Sequence, residues 1–184
     1  MQASSVAGAS LLPALLLTVV APAPPREALP GEGFDVIRYE LTLTPDLAGK
    51  SVAGFETIVL RSVADELVRF GFTRNDLTID AATVGGQPIR VSLSDAALLF
   101  DLPHPVAKGQ TITLRIAYHG EPARGVTFSP TSAWTSYFTC DWMICTQDAP
   151  GDKAEFALDL RLPAGMLSLA PGTQVATTRP GAGV

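Results

Sequence analysis

One stretch decides the fold of the chain, residues 34–62, which reads FDVIRYELTLTPDLAGKSVAGFETIVLRS. Its first half alternates strictly: one face holds Ile37, Tyr39, Leu41 and Leu43, and the other holds Arg38, Glu40, Thr42 and Thr44. A period of two residues is typical of a strand with one buried face. The turn PDLAGK and the β-branched run after it predict a hairpin, with Gly54 at a bulge or at a close approach of another chain segment.

The same period continues along the chain. It is found in ELVRFGF, in LTIDAATV and QPIRVSL around the turn Gly85-Gly86, at Leu98, Phe100 and Leu102 before the turn PHPVAKGQ, at Ile112 to Tyr118, and at Phe156 to Leu162. No stretch has a clear period of 3.6 residues, so helical crossovers for a parallel α/β fold are not predicted. We therefore predict an all-β protein of seven or eight strands, an antiparallel β-sandwich or saddle-shaped pair of sheets.

Composition and charge exclude one class of function. The 184 residues are 47% hydrophobic and 17% charged, which suits a domain with a real core. The formal net charge is −5, and no run of Lys or Arg occurs. Binding to nucleic acid or to anionic lipid needs a basic surface, so we predict no nucleic-acid partner.

The first 33 residues predict the domain organisation. An apolar run from Leu11 to Val20 precedes Ala21-Pro22-Ala23, a cleavage pattern of the A-x-A type. We predict a signal peptide at 1–23, a Pro/Gly-rich spacer at 24–33 and a β domain at 34–184. The expected location is secreted, periplasmic or otherwise extracytoplasmic. An uncleaved membrane anchor and a merely disordered start are the alternatives.

Motifs for catalysis are absent from the sequence. Its two histidines, His104 and His119, lie beside turn residues, and no H-E-x-x-H or G-x-S-x-G occurs. We predict that both histidines are solvated loop residues, rather than catalytic groups or metal ligands, and we name no catalytic or metal residue.

Cys140 and Cys145 predict one of three arrangements. A disulfide is favoured in an exported chain and would require a bend at DWMI. Two unpaired buried thiols or a metal site shared with the histidines are the alternatives. Four aromatic residues surround this pair, either as a hydrophobic plug or as an exposed surface that docks another domain or a peptide: Trp134, Tyr137, Phe138 and Trp142.

The order of these segments resembles the N-terminal domain of the aminopeptidase N type of zinc metallopeptidases, the gluzincin aminopeptidases. The resemblance begins at Phe34 and runs to the end of the chain. Its most specific part is a corner of the pattern W-x-P-C-x-D-x-P-x-x-K-A-x-F, matched by Trp142, Cys145, Asp148, Pro150, Lys153, Ala154, Phe156 and Pro163. Ile144 stands where the family has proline, and Gln147 is a one-residue insertion.

The resemblance implies that this corner lies near an active-site cleft. A Gln or Glu of the family that contacts the α-amine of the substrate would fall near Thr135, where this chain has neither. Asp141 and Gln147 are therefore the nearby candidates for substrate binding. Zinc and its H-E-x-x-H ligands are implied only for a catalytic domain that this sequence lacks, so no cofactor is expected in this chain.

Two functions follow as alternatives. The chain is either the non-catalytic domain that caps a zinc aminopeptidase and shapes its substrate entrance, C-terminally truncated and inactive alone, or a free-standing exported module for binding or adhesion. The first implies a catalytic domain or second chain as partner, with peptide bound only in the complete assembly. An unpaired edge with apolar faces at Leu158, Leu160 and Leu162 further predicts that residues 24–184 self-associate or need a partner.

Overall fold

The computed structural model describes residues 28–147, 151 and 153–178. The predicted signal peptide lies outside these residues, as do Asp148 and Pro150 of the corner pattern. Eleven strands follow one another along the described residues. They are β1 Phe34–Asp46, β2 Ser51–Ser62, β3 Glu66–Thr73, β4 Thr78–Val84, β5 Gln87–Pro88, β6 Val91–Leu93, β7 Ala97–Ala107, β8 Thr111–Gly120, β9 Val126–Phe128, β10 Ala133–Thr135 and β11 Glu155–Leu160. The all-β prediction is confirmed.

Three sheets form from these strands. The largest has the order β11-β1-β2-β8-β4-β5, the second has the order β3-β7-β6, and β9 pairs with β10 in a separate hairpin. The first two sheets contribute to one hydrophobic core. Phe34 of β1 packs edge-on against Phe70 and Phe72 of β3, with ring centroids 5.5 and 5.3 Å apart. These aromatic contacts join the two sheets into a sandwich.

The hairpin of β1 and β2 forms as predicted, with one irregularity. The pairing register shifts between Val36 and Arg38, which marks a β-bulge at Ile37. A bulge reverses the alternation, so Phe34 and Val36 are buried before it and Leu41 after it. The placement of Ile37 on the buried face was wrong, because strict alternation was assumed through the bulge.

The turn at Gly85-Gly86 is confirmed, but the strand after it is divided. Both glycines have positive φ angles, 59° and 81°, as a tight hairpin requires. The segment QPIRVSL was predicted as one strand. In the structure, residues 87–88 pair with β4 and residues 91–93 pair with β7 in the other sheet. The chain crosses between the sheets here, which periodicity alone does not indicate.

Strand β7 extends further than expected. The predicted turn PHPVAKGQ contributes five residues to β7, so the chain turns only after Ala107. His104 therefore lies in β7 and His119 in β8, and the prediction that both are loop residues was wrong. Both are exposed, and His119 Nδ1 lies 2.9 Å from a carboxylate oxygen of Asp80.

The last strand differs from the antiparallel prediction in its direction. β11 pairs with β1 in parallel, with Leu158 opposite Leu41 and Leu160 opposite Leu43. The other paired strands of the described residues are antiparallel. A parallel neighbour requires a long connection, and the residues between β8 and β11 provide it without a helix of the α type among those described.

Candidate functional site

The candidate site is the corner at residues 138–147, between β10 and β11. A 3-10 helix covers Thr139–Asp141, and Phe138 before it adopts the left-handed conformation with φ of 64°. Cys140 and Cys145 form a disulfide with their Cα atoms 5.0 Å apart, which supports the disulfide interpretation and the bend it required. Five consecutive residues, from Asp141 to Cys145, are at most 9% exposed. The middle of the corner is therefore part of the core.

Two side chains of the large sheet hold the backbone of this corner. Glu56 of β2 accepts a hydrogen bond from the backbone N–H of Ile144 at 2.7 Å. The hydroxyl of Tyr118, on β8, donates to the backbone carbonyl of Trp142 at 3.0 Å. Both side chains are almost completely buried, at 0% and 1% exposed. Polar groups removed from water need such partners, so the two bonds fix the corner against the sheet.

Gly54 explains how the ring of Tyr118 reaches the corner. Gly54 lies opposite Tyr118 in the pairing of β2 with β8. A Cβ atom at this position would lie 2.1 Å from the ring carbon Cζ of Tyr118, well inside van der Waals contact. The prediction of a close approach at Gly54 is confirmed, because the ring lies directly over the glycine.

The carboxyl of Glu56 has an unusual acidity. Burial raises its pKa from 4.5 to about 8, although the hydrogen bond from the backbone N–H of Ile144 opposes this shift. Burial and the nearby Glu56 carboxyl likewise raise the pKa of Tyr118 above its usual range. At neutral pH Glu56 is therefore protonated. Its Oε2 atom has no hydrogen-bond partner among the described residues, since the Tyr118 hydroxyl donates to Trp142 instead.

Asp141, a predicted candidate for substrate binding, is engaged by Arg124. The guanidinium group donates to both carboxylate oxygens, from Nε at 2.8 Å and from Nη2 at 3.2 Å. It also lies 4.2 Å from the centroid of the Phe138 ring. This bidentate salt bridge neutralises the carboxylate of Asp141, whose side chain is only 11% exposed. The role of Asp141 in binding an amine stays a prediction.

Gln147, the other candidate, lies at the exposed end of the corner. Its side-chain oxygen accepts a hydrogen bond from the backbone N–H of Cys140 at 3.4 Å. Its own backbone N–H donates to Oγ1 of Thr73 at 2.8 Å. Asn75 completes the attachment by donating to the carbonyl of Cys140 at 2.8 Å. These bonds tie the corner to the end of β3, and the substrate-binding role of Gln147 stays a prediction.

The aromatic residues around the disulfide divide into two groups. Trp142 is buried, at 7% exposed, and belongs to the core. Trp134 and Tyr137 are 58% and 86% exposed, and Phe138 is 41% exposed. We call Trp134, Tyr137 and Phe138 the aromatic surface. Each of the two predicted arrangements, plug and exposed surface, therefore describes part of the set.

A polar cavity of about 310 Å³ lies beside the corner, with Asp141 and its partner Arg124 in its lining. Its lining includes the uncharged Asn75 and charged residues of both signs: Arg74, Arg124, Asp76, Asp95 and Asp141. Among the described residues, no group of three or more His, Cys, Asp or Glu side chains could hold a metal ion. Within the same part of the chain, no helix is long and apolar enough to cross a membrane.

The site includes polar residues that were not predicted from the sequence, among them Glu56, Asn75 and Arg124. A signal existed for Glu56 alone. It shares the strand phase of Val52, Ile58 and Leu60, so an acidic side chain stood at an inward position of β2. The partners of Asn75 and Arg124 are 65 and 17 residues away, and no local pattern indicates them.

Comparison with solved structures identifies the class to which this fold is similar. The sequence matches no family model and no curated protein. The fold is similar to M1 zinc metallopeptidases, which confirms the predicted resemblance. The chain spans 38% of the length of these solved chains, a share that fits an N-terminal domain.

Three solved structures carry this result. An M1 zinc metallopeptidase mutant from Deinococcus radiodurans, bound to a Tyr-Ser-Ala substrate, superposes with a TM-score of 0.74 at 25% identity over 83% of this chain. The M1 zinc metallopeptidase from the same organism gives a TM-score of 0.73 at 25% identity, also over 83% of this chain. A two-domain M1 zinc metallopeptidase mutant bound to L-arginine gives 0.73 at 24% identity over the same share.

Proposed function

We propose that the chain is the non-catalytic N-terminal domain of a zinc aminopeptidase, which caps the catalytic domain and shapes the entrance for peptide substrates. One observation carries the proposal: a TM-score of 0.74 to an M1 zinc metallopeptidase over 83% of this chain. The similarity supports a domain of an aminopeptidase. The capping role is our inference from the corner.

The form of the corner supports this role. The aromatic surface is exposed, yet the backbone beside it is fixed by a disulfide, by the hydrogen bond that Ile144 donates to Glu56 and by the one that Tyr118 donates to Trp142. A rigid, exposed aromatic surface is typical of places where proteins contact a partner, because little conformational entropy is lost on binding. We propose that it contacts the catalytic domain or the bound peptide.

Zinc belongs to the partner in this proposal. The sequence contains no H-E-x-x-H, so the zinc ligands and the general base would come from a catalytic domain outside these 184 residues. The domain described here would contribute substrate positioning only. Alone, it would not hydrolyse peptides.

An activity assay tests the proposal. The chain alone, supplied with zinc, is expected to leave an L-alanyl anilide intact. Co-expressed with a zinc aminopeptidase catalytic domain that carries H-E-x-x-H, it is expected to form an active complex. Replacing Trp134 and Tyr137 by Ser should then raise KM or weaken the complex about tenfold, a typical loss for exposed aromatic contacts. Phe55→Ser, at a 46% exposed position on β2, is the matched control.

Two results would contradict the proposal. Hydrolysis by the chain alone would show that it carries its own catalytic groups. If no coding segment with H-E-x-x-H accompanies the gene, and the chain instead binds a surface ligand by itself, the alternative of an adhesion module would replace it.

We also propose that the chain acts outside the cytoplasm. The disulfide supports this location, because such bonds persist mainly in oxidising compartments. The measurement is the mass of the mature protein in the periplasm or medium, which is expected to begin at residue 24. An intact Met1 terminus on cytoplasmic protein would refute the location.

A further inference from the structure

The polar cavity of about 310 Å³ lies where four connecting segments of the sandwich meet. Its lining comes from the β3–β4 connection, the β6–β7 turn, the β8–β9 connection and the corner. Cavities that bind small molecules usually measure about 300–1,000 Å³, so this one suits a small ligand. Connecting segments that a rigid scaffold holds together commonly carry the binding residues of a protein. The cavity therefore has the size and the position of a small-molecule site.

Hydrogen bonds fix the walls of the cavity relative to one another. Arg74 donates from its backbone N–H to the carbonyl of Ala96 at 3.1 Å and from Nη1 to the carbonyl of Ser94 at 2.7 Å. Asn75 donates from Nδ2 to the carbonyl of Cys140 at 2.8 Å. These bonds join the β3–β4 connection to the β6–β7 turn and to the corner. A preformed cavity of this kind loses little conformational entropy when a ligand binds.

Three charged side chains of the cavity lack a partner of opposite charge. Arg124 and Asp141 bind each other, so their two charges offset one another within the protein. In the part of the chain that the structure describes, Arg74, Asp76 and Asp95 form no ion pair, although all three line the cavity and are exposed. One positive and two negative charges therefore remain for a ligand.

The guanidinium group of Arg74 has a free edge for a carboxylate. Its Nη1 atom donates to the carbonyl of Ser94, whereas Nε and Nη2 have no hydrogen-bond partner among the described residues. Arg124 binds the carboxylate of Asp141 through the same two atoms. A carboxylate accepts two parallel hydrogen bonds from such an edge, which makes the contact both strong and specific. Arg74 is thus suited to the carboxylate of a ligand.

Asp76 and Asp95 suit a cationic group on the same ligand. An ammonium group has three N–H donors, so it can donate to more than one carboxylate. An anion without an ammonium group would face two unpaired carboxylates, and a cation without a carboxylate would face Arg74. Such contacts between like charges disfavour both kinds of ligand. The charges of the cavity therefore select a molecule that carries both groups.

We propose that the cavity binds a small zwitterion, a free amino acid or a dipeptide. Arg74 holds the carboxylate through Nε and Nη2, and Asp76 and Asp95 accept hydrogen bonds from the ammonium group. The ligand is bound without a covalent step. This inference uses neither Asp141 nor Gln147, and it does not depend on the proposed aminopeptidase role.

A titration of the full chain, followed by nuclear magnetic resonance at neutral pH, tests the inference. Glycine and glycylglycine are the zwitterionic probes. N-acetylglycine carries only the carboxylate, and glycinamide carries only the ammonium group. At least one zwitterion is expected to bind with a Kd of about 1 mM, since exposed ion pairs are weak, and to shift the backbone N–H signals of residues 74–76 and 95–96. The single-charge probes should bind about tenfold more weakly.

Charge-removing variants provide the second measurement. Arg74→Met and Asp95→Asn should each weaken binding of the zwitterion about fivefold, because each removes one ion pair. Asp95→Asn keeps the size of an exposed side chain, so it separates a lost contact from a loss of folding. Arg90→Met, at an exposed position outside the cavity lining, changes the charge as Arg74→Met does and should bind like wild type.

Four results would overturn the inference. The first is no shift with either zwitterion up to about 50 mM. The second is equal binding of the zwitterions and the single-charge probes. The third is a set of shifted signals that lies only outside residues 74–76 and 95–96. The fourth is undiminished binding by both Arg74→Met and Asp95→Asn.

Discussion

Replacement of Glu56 by Gln should remove most of the pH dependence of stability between about pH 4.5 and 8. The pKa of Glu56 is raised from 4.5 to about 8 in the folded chain, with burial as the largest cause. One pKa unit corresponds to about 1.4 kcal/mol, so the full shift amounts to about 5 kcal/mol.

The direction of the pH dependence follows from the number of protons bound in the folded and unfolded states. Between pH 4.5 and about 8 the unfolded chain has lost the Glu56 proton, while the folded chain keeps it. The free energy of unfolding of wild type therefore falls as pH rises through this window. The contribution of Glu56 is fully present below pH 4.5, where both states are protonated. Gln does not titrate, so the free energy of unfolding of the variant should not fall with pH in this window. Its amide oxygen can still accept the hydrogen bond from Ile144.

The assay is urea unfolding followed by circular dichroism, at several pH values from 4 to 9. We expect wild type and Glu56→Gln to have similar free energies of unfolding near pH 4. Near pH 8 the free energy of unfolding of the variant should exceed that of wild type by up to about 5 kcal/mol. Glu66→Gln, at an exposed position of β3, is the control and should follow wild type. Parallel curves for wild type and Glu56→Gln across the window would refute the buried, protonated state of Glu56.

Two further changes test the corner. Replacing Cys140 and Cys145 by Ser should lower the free energy of unfolding by about 2 kcal/mol, because a short loop restricts the unfolded chain only moderately. A thermal melt checks this, and no change would mean that the disulfide does not form. Gly54→Ala should lower the free energy of unfolding by about 3 kcal/mol or more, because the new methyl group overlaps the ring of Tyr118. Gly151→Ala, which meets no atom within 4 Å, is its control, and equal stability of the two variants would contradict the overlap.

The local pattern of the sequence determined the strands and the tight turns. Alternation depends only on neighbouring residues, so it indicates which segments are extended and which face is apolar. The glycine pair at 85–86 and the close approach at Gly54 follow from backbone sterics at single positions. The disulfide was one of three open arrangements, and only the separation of the two Cα atoms in the fold selects it.

The tertiary structure alone decided how the strands and polar groups meet. The parallel pairing of β11 with β1 joins segments more than one hundred residues apart, and alternation is the same for parallel and antiparallel neighbours. The N–H of Ile144, which donates to Glu56, is 88 residues away from it in the sequence. The guanidinium group of Arg124 binds Asp141, which is 17 residues further along the chain. Burial and pairing of a charge depend on which distant segments enclose it, and a pattern within one strand contains no such information.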